Sequence, residues 1–188
     1  MQIKVRGSPT PEPTELPPPG LREGTALTPV RGSSSSSLPV YADQRVIGGM
    51  LKRASEGGDY EVGGFLLGGY HIHAGERYVD LTAQVPAFKA RSKRTSLEFD
   101  NDAQREFHDT VDQRFPGKVV LGWYHTHPGY GVFLSGHDLF VHKNFYSAPH
   151  HVAVVVDPKA GPRKQMGVFV WESGEISSAY ALLPYKKV

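Results

Sequence analysis

Lys118-Val119-Val120-Leu121-Gly122-Trp123-Tyr124-His125-Thr126-His127-Pro128, followed by Ser135 and Asp138, is the stretch on which the reading of the whole chain turns. Its first seven residues are apolar, β-branched or aromatic apart from Lys118 and Gly122, and they follow the breaker Pro116-Gly117. That pattern predicts a buried strand. Side chains two apart on a strand share a face, about 6.6 Å from each other along it. His125 and His127 therefore point the same way and can converge on one ion. Pro128 has no N–H to donate and ends the ladder. Leu134 to Phe145 then reads as a helix, with Asp138 one turn after Ser135 on the same face. Its carboxylate can serve as a third ligand. Two imidazoles and one carboxylate leave the fourth position of a tetrahedral zinc open, which is the arrangement of a catalytic rather than a structural site.

Each piece also has a plain structural meaning. Ser-x-x-Asp ahead of apolar residues is a variant of the capping box, and a His-x-His on a strand is commonly incidental. The combination is what argues for a site. Cap and site can coexist, since Ser135 can close the helix while its hydroxyl faces the metal water.

On these residues the chain resembles the JAMM or MPN-plus metalloisopeptidases. Their motif is a distant Glu, then His-x-His-Pro, six residues, Ser, two residues and Asp. The match falls on His125, His127, Pro128, Ser135 and Asp138. The upstream Glu has one good candidate, Glu61, which opens Glu61-Val62-Gly63-Gly64-Phe65-Leu66-Leu67-Gly68, similar to the family's Glu-x-x-Gly-x-Leu-x-Gly strand. The likeness runs from about Pro39 to Pro184 and is nearest to the short bacterial members. It implies an α/β fold: a single three-layer α-β-α domain whose curved, mixed but mostly antiparallel sheet is flanked by helices, as in cytidine deaminases. It also implies one zinc per chain on His125, His127 and Asp138, Glu61 as the proton-transferring base and Ser135 as the oxyanion partner.

Composition sets the bounds. The length suits one domain, placed at residues 39–188, plus a tail at 1–38. There is no cysteine, so no disulfide framework, Cys-zinc cluster or thiol mechanism can operate. The formal charge of +2 is close to balanced and asks for neither nucleic acid nor a membrane. No signal-like start and no spanning apolar run is evident, so a cytoplasmic location is expected.

Met1 to Leu38 is rich in proline and carries five consecutive serines, Ser33 to Ser37; such a segment is expected to stay flexible, with Gln2-Ile3-Lys4-Val5 as the one candidate strand within it. Tyr41 to Ser55 has apolar residues at helical spacing, stopped by Gly57-Gly58-Asp59. Glu61 to Tyr70 reads as a strand that pairs with Arg77 to Val85 round Ala74-Gly75-Glu76. His71 and His73 repeat the two-residue spacing but lack a carboxylate partner, and read as solvated turn residues. Pro86 to Ser96 is a basic loop that the resemblance places beside the cleft, where it and Ser96-Leu97-Glu98-Phe99 would take a substrate tail by strand addition. Asp100 or Asn101 caps a helix with Phe107, Val111 and Phe115 on its apolar face; His108 lies beside that face. His150 to Val156 is a buried strand, and Met166 to Glu172 pairs with Glu175 to Leu183 round Ser173-Gly174. His142, His150 and His151 are expected to be structural or exposed, and His137 to sit on the cleft rim.

The resemblance implies cleavage of amide or isopeptide bonds after the Gly-Gly-like tail of a ubiquitin-like modifier, with that modifier or its conjugates as the partner. The alternatives are trimming of a ubiquitin-like or sulfur-carrier precursor, and a non-catalytic scaffold, which would lack ligands that are present here. A two-metal, β-lactamase-like hydrolase is disfavoured, because no Asp-His follows the His-x-His pair.

Overall fold

The computed structural model describes residues 11–28, 36–88, 91–92, 97–98, 109–111, 113–162 and 164–188. Two short strands come first, β1 (Thr14–Glu15) and β2 (Thr25–Leu27). β3 (Val40–Asp43) leads into helix α1 (Gln44–Gly57). Asp43 caps that helix, its carboxylate accepting the Arg45 N–H at 2.9 Å. The hairpin of β4 (Gly63–His73) and β5 (Glu76–Pro86) follows. β6 (Arg91–Ser92) and β7 (Leu97–Glu98) pair with each other. Residues 109–111 and 113–114 are helical and lead to β8 (Val119–Thr126). Helix α2 (Gly136–Phe145), β9 (Val152–Val156), β10 (Met166–Phe169), β11 (Trp171–Glu172), β12 (Glu175–Ile176) and β13 (Leu183–Lys187) complete the order.

One mixed, curled sheet runs β10-β9-β8-β4-β5-β3-β13-β2, with β1 added parallel to the far end of β4. β8 lies antiparallel to β4 and parallel to β9, so the strand that carries the histidines is covered on both edges. α1 lays Val46, Met50 and Ala54 on one face, against Val40, Leu66, Leu81, Leu121, Tyr124 and Val154. Each such side chain contributes about 1.5–3 kcal/mol when fully buried. On the other face Trp123, Ala153, Val155 and Phe169 pack with Val141, Phe145 and Tyr146 of the α2 region. Phe65, Leu67 and Val85 pack with Val111 and Phe115. Helices therefore cover both faces, and the α/β three-layer expectation holds.

A bulge in β8 decides which face the histidines use. The β4 partners step from Gly122 to Val120, leaving Leu121 as an extra residue. Leu121 and Tyr124 consequently both face α1, while Trp123 and His125 face α2. Gly122 makes this possible. Its φ is +149°, and a Cβ there would fall 1.8 Å from the Val152 carbonyl oxygen.

Three expectations need correction. Tyr41 to Asp43 belongs to a strand, and the helix begins at Gln44; four residues of strand leave too little pattern to separate them from the helical run. The last hairpin pairs β11 with β12 and continues to an antiparallel bridge between Val168 and Tyr180, whose N–H groups donate to each other's carbonyls at 2.9 and 2.8 Å, but it stops short of Leu183. Beyond it the chain crosses over, and β13 pairs with β3 and β2 rather than with β10. Within the expected flexible tail, residues 11–28 lie against the sheet. β1 and β2 add to its edges, the Tyr78 hydroxyl donates to the carbonyls of Leu16 and Pro17 at 2.8 and 3.0 Å, and Arg22 reaches the buried Asp80 at 2.6 Å. Proline-rich chain has less backbone freedom to lose, so a few polar contacts suffice to hold it. Gln2-Ile3-Lys4-Val5, Lys89-Ala90, Lys93 to Ser96 and the capping end of the Asp100 helix, including His108, lie outside the described residues.

Candidate metal centre

β8 delivers His125, and one residue beyond it the His127 N–H donates to the Val156 carbonyl at 2.8 Å, extending the parallel ladder to β9. The two Nε2 atoms stand 3.0 Å apart. Pro128 then turns the chain into the Gly129–Leu134 loop, which returns at Ser135, the N-cap of α2. The capping box is complete: Ser135 Oγ accepts the Asp138 N–H at 3.3 Å, and Asp138 Oδ2 accepts the Ser135 N–H at 2.7 Å. The same Oδ2 lies 3.3 Å from His125 Nε2 and 3.5 Å from His127 Nε2. Cap and site do coexist.

These three atoms test whether a zinc ion fits. A tetrahedral ion with ligands at about 2.0–2.1 Å has ligand–ligand edges of about 3.3 Å. The observed edges of 3.0, 3.3 and 3.5 Å describe one face of that tetrahedron. His125, His127 and Asp138 could therefore hold a metal ion, and all three are buried. His127 Nδ1 faces the Gly131 carbonyl oxygen at 3.2 Å, so a proton placed there leaves Nε2 free as a donor to metal. His125 is fixed differently: its ring stacks on Trp123 at 4.6 Å and 12°. Its Nδ1 is buried without a hydrogen-bond partner among the described residues.

Electrostatics favour a cation. Burial pushes the Asp138 carboxyl up, but hydrogen bonds from His125, His127 and Ser135 prevail and hold it far below its ordinary value. Burial holds His125 down. The same burial works against charge on His127, yet its bond to Asp138 wins and its net direction is up. Glu61 is 6% exposed, with Oε1 4.0 Å from His127 Nε2. Burial pushes it up to about 7, opposed by the charge of His127 and aided by that of Asp138. A carboxyl poised there can both take and give a proton near neutral pH.

All five residues picked from the sequence thus meet in one place. None of the other described histidines belongs to this cluster. His71 Nδ1 shares a 2.6 Å hydrogen bond with Thr14 Oγ1, and His73 Nδ1 is 3.4 Å from Glu15 Oε1; both are partly exposed and both touch β1. His137 is exposed. His142, buried on α2, accepts the Trp123 indole N–H at 3.2 Å, and burial pushes it down to about 4. Sequence reasoning missed Asp157. Its carboxylate accepts the N–H groups of Gly129 and Gly131 at 2.8 and 2.9 Å, bracing the loop whose Gly131 carbonyl faces His127. Asp157-Pro158 signalled a turn, but nothing in it signalled a partner across the cleft. Thr126, between the two histidines, bonds the segment that carries Glu61.

Fold and site together define an α/β domain built round a candidate single-ion centre of two imidazoles and a carboxylate, with a second carboxyl beside it. Residues 35–149 match the family model described as JAB1/Mov34/MPN/PAD-1 ubiquitin protease, and the chain belongs to that family. Among curated relatives, the 26S proteasome regulatory subunit rpn11 of Schizosaccharomyces pombe is 32% identical over 140 residues, covering 74% of this chain and 44% of the relative. The ubiquitin carboxyl-terminal hydrolase RPN11 of Saccharomyces cerevisiae is 33% identical over 129 residues, covering 68% and 41%. The COP9 signalosome complex subunit 5 of Eremothecium gossypii is 36% identical over 118 residues, covering 58% and 26%. The chain thus spans less than half the length of these relatives. The solution structure of a Desulfitobacterium hafniense protein superposes with a TM-score of 0.55 at 16% identity, covering 79% of this chain and 94% of that one. That likeness concerns the fold alone.

Proposed function

We propose that this protein is a zinc-dependent isopeptidase that hydrolyses the amide or isopeptide bond after the Gly-Gly-like C-terminal tail of a ubiquitin-like modifier. The observation that carries this reading is the buried triangle of His125, His127 and Asp138 with Glu61 at its edge. A relative whose name is ubiquitin carboxyl-terminal hydrolase supports the substrate class. In this reading His125, His127 and Asp138 hold one zinc ion. Zinc bound there supplies Lewis acidity and lowers the pKa of a coordinated water towards about 7. Glu61 would take the proton as water attacks the carbonyl and hand it to the leaving amine, a role that suits its buried place 4.0 Å from His127 Nε2. Ser135 accepts the Asp138 N–H through a lone pair, which leaves its own O–H to donate to the developing oxyanion. The burial of all three ligands and of Glu61 strengthens each of these interactions by keeping bulk water away.

The test is incubation of the zinc-loaded protein with a panel of Lys-linked ubiquitin-like conjugates and linear C-terminally extended precursors. Cleavage of conjugates, abolished by a chelator and restored by zinc, is the expected result. Cleavage of linear precursors alone would move the function to precursor processing. Zinc-free protein that cleaves neither would fit a scaffold.

A further inference from the structure

We propose that Thr126, the residue between the two histidines, is the positioning residue that sets where Glu61 stands. The proposal rests on the reading of Glu61 as the proton-transferring carboxyl. Glu61 is not part of β4, which begins at Gly63 opposite His125. Something else must hold it against the metal ligands. Residue 62 lies opposite residue 126 in the continuation of that register, and two hydrogen bonds join them. The Thr126 N–H donates to the Val62 carbonyl at 2.9 Å, and Thr126 Oγ1 accepts the Val62 N–H at 2.9 Å.

The second bond is the unusual one. In a hydrogen-bonded antiparallel pair both partners are backbone atoms, so the Val62 N–H would go to the Thr126 carbonyl. Here the side-chain oxygen takes it. The Val62 N–H belongs to the peptide unit that begins at the Glu61 carbonyl, so a bond at this atom fixes the plane from which the Glu61 side chain departs. Thr126 is 0% exposed and Val62 is 4% exposed, so water does not readily replace the hydroxyl. Strand alternation turns Thr126 away from the face used by His125 and His127, and its oxygen does not compete for their ion.

Two other contacts described on this arm are weaker holds. Lys159 Nζ meets Asp59 Oδ1 at 2.5 Å, but these side chains are 52% and 61% exposed, and such pairs fix little. Tyr60 N–H donates to the Gly57 carbonyl at 3.1 Å, which ties the arm to the end of α1 rather than to the metal strand. Thr126 is the buried link between the residue that moves the proton and the strand that holds the ion.

The experiment compares Thr126→Val, which keeps the shape and removes the acceptor, with Thr126→Ser, which keeps the acceptor, both in the zinc-loaded full chain. Exchange of the Val62 amide with deuterium, followed by NMR, should speed up about tenfold or more in the valine variant and stay near wild type in the serine variant. Zinc affinity, measured against a chromophoric chelator, should stay within about threefold of wild type in both, since second-sphere losses of about 10–100-fold belong to groups bonded to the ligands. On a ubiquitin-like conjugate, kcat should fall about 10–100-fold in the valine variant with KM unchanged, and serine should restore it. Thr126→Ala carries the same expectations should the valine variant not fold. Unchanged Val62 protection, a wild-type kcat in the valine variant, or a serine variant as impaired as the valine one would each overturn the proposal. The amide exchange separates the two claims. An inert wild type with Val62 protection lost only in the valine variant would sink the isopeptidase, and with it the catalytic purpose given to Thr126. An active wild type with Val62 protection unmoved would sink the Thr126 proposal alone.

Discussion

Replacing Asp157 by asparagine should loosen the loop around the candidate metal centre while leaving the sheet in place. The carboxylate is 4% exposed. Oδ1 accepts the N–H groups of Gly129 at 2.8 Å and Lys159 at 2.9 Å, and Oδ2 accepts that of Gly131 at 2.9 Å. Bonds to a charged acceptor contribute about 1.5–3 kcal/mol each, and neutral ones about 0.5–1.5 kcal/mol. Asparagine offers one oxygen, so one loop amide faces an N–H donor instead of an acceptor, and the remaining bonds become neutral. Since the loop sits at the surface and water can reach part of it, the net loss of stability should be about 2–4 kcal/mol. The effect should reach the metal, because the Gly131 carbonyl faces His127 Nδ1 at 3.2 Å; zinc affinity should fall about tenfold or more. Burial pushes the Asp157 carboxyl up, but the N–H groups of Gly129, Lys159 and Gly131 prevail and hold it below its ordinary value. Its stabilising share is therefore complete above about pH 4 and is lost as pH falls through the lower folded value. Urea unfolding at pH 7 and in mild acid, together with zinc competition, measures all of this. An asparagine variant within about 0.5 kcal/mol of wild type, with unchanged zinc affinity, would refute the reasoning.

Two further outcomes follow from the same contacts. His127→Ala removes one corner of the ligand triangle and should abolish stoichiometric zinc after gel filtration, read by elemental analysis; a variant that still carries one zinc per chain would show the ligands to be misplaced. Arg22→Met leaves Asp80, 1% exposed, with Tyr185 as its remaining partner at 2.9 Å. Breaking a buried pair costs about 3–5 kcal/mol, and the partial exposure of Arg22 lowers the expectation to about 2 kcal/mol. Urea unfolding would read that loss with zinc binding unaltered, and no loss would mean that the Arg22–Asp80 pair adds nothing to the domain.

The candidate site was legible in the sequence because its geometry is local. Two residues on a strand, and a cap with its third helical residue, place four of the five side chains through backbone period alone. α1 and the β4–β5 hairpin were legible for the same reason. What stayed hidden depends on partners far along the chain. β13 pairs with β3 from well over a hundred positions away, and no local pattern announces that partner. The bulge at Leu121-Gly122 reverses the alternation that a regular strand would give; the glycine hinted at it without fixing its direction. Residues 11–28 have the composition of unfolded chain, and their order comes from Tyr78, Asp80 and the free end of β4 rather than from their own burial. Asp157 and Thr126 escaped because each acts on backbone amides, which carry no sequence signature.

The account turns on Glu61 moving a proton beside a zinc held by His125, His127 and Asp138. The most direct measurement is the rate at which zinc-loaded wild type and zinc-loaded Glu61→Gln cleave one Lys-linked ubiquitin-like conjugate, at matched metal content. The expected result is a fall of about 10²–10⁴ with zinc retained. Equal rates in the two proteins would contradict it.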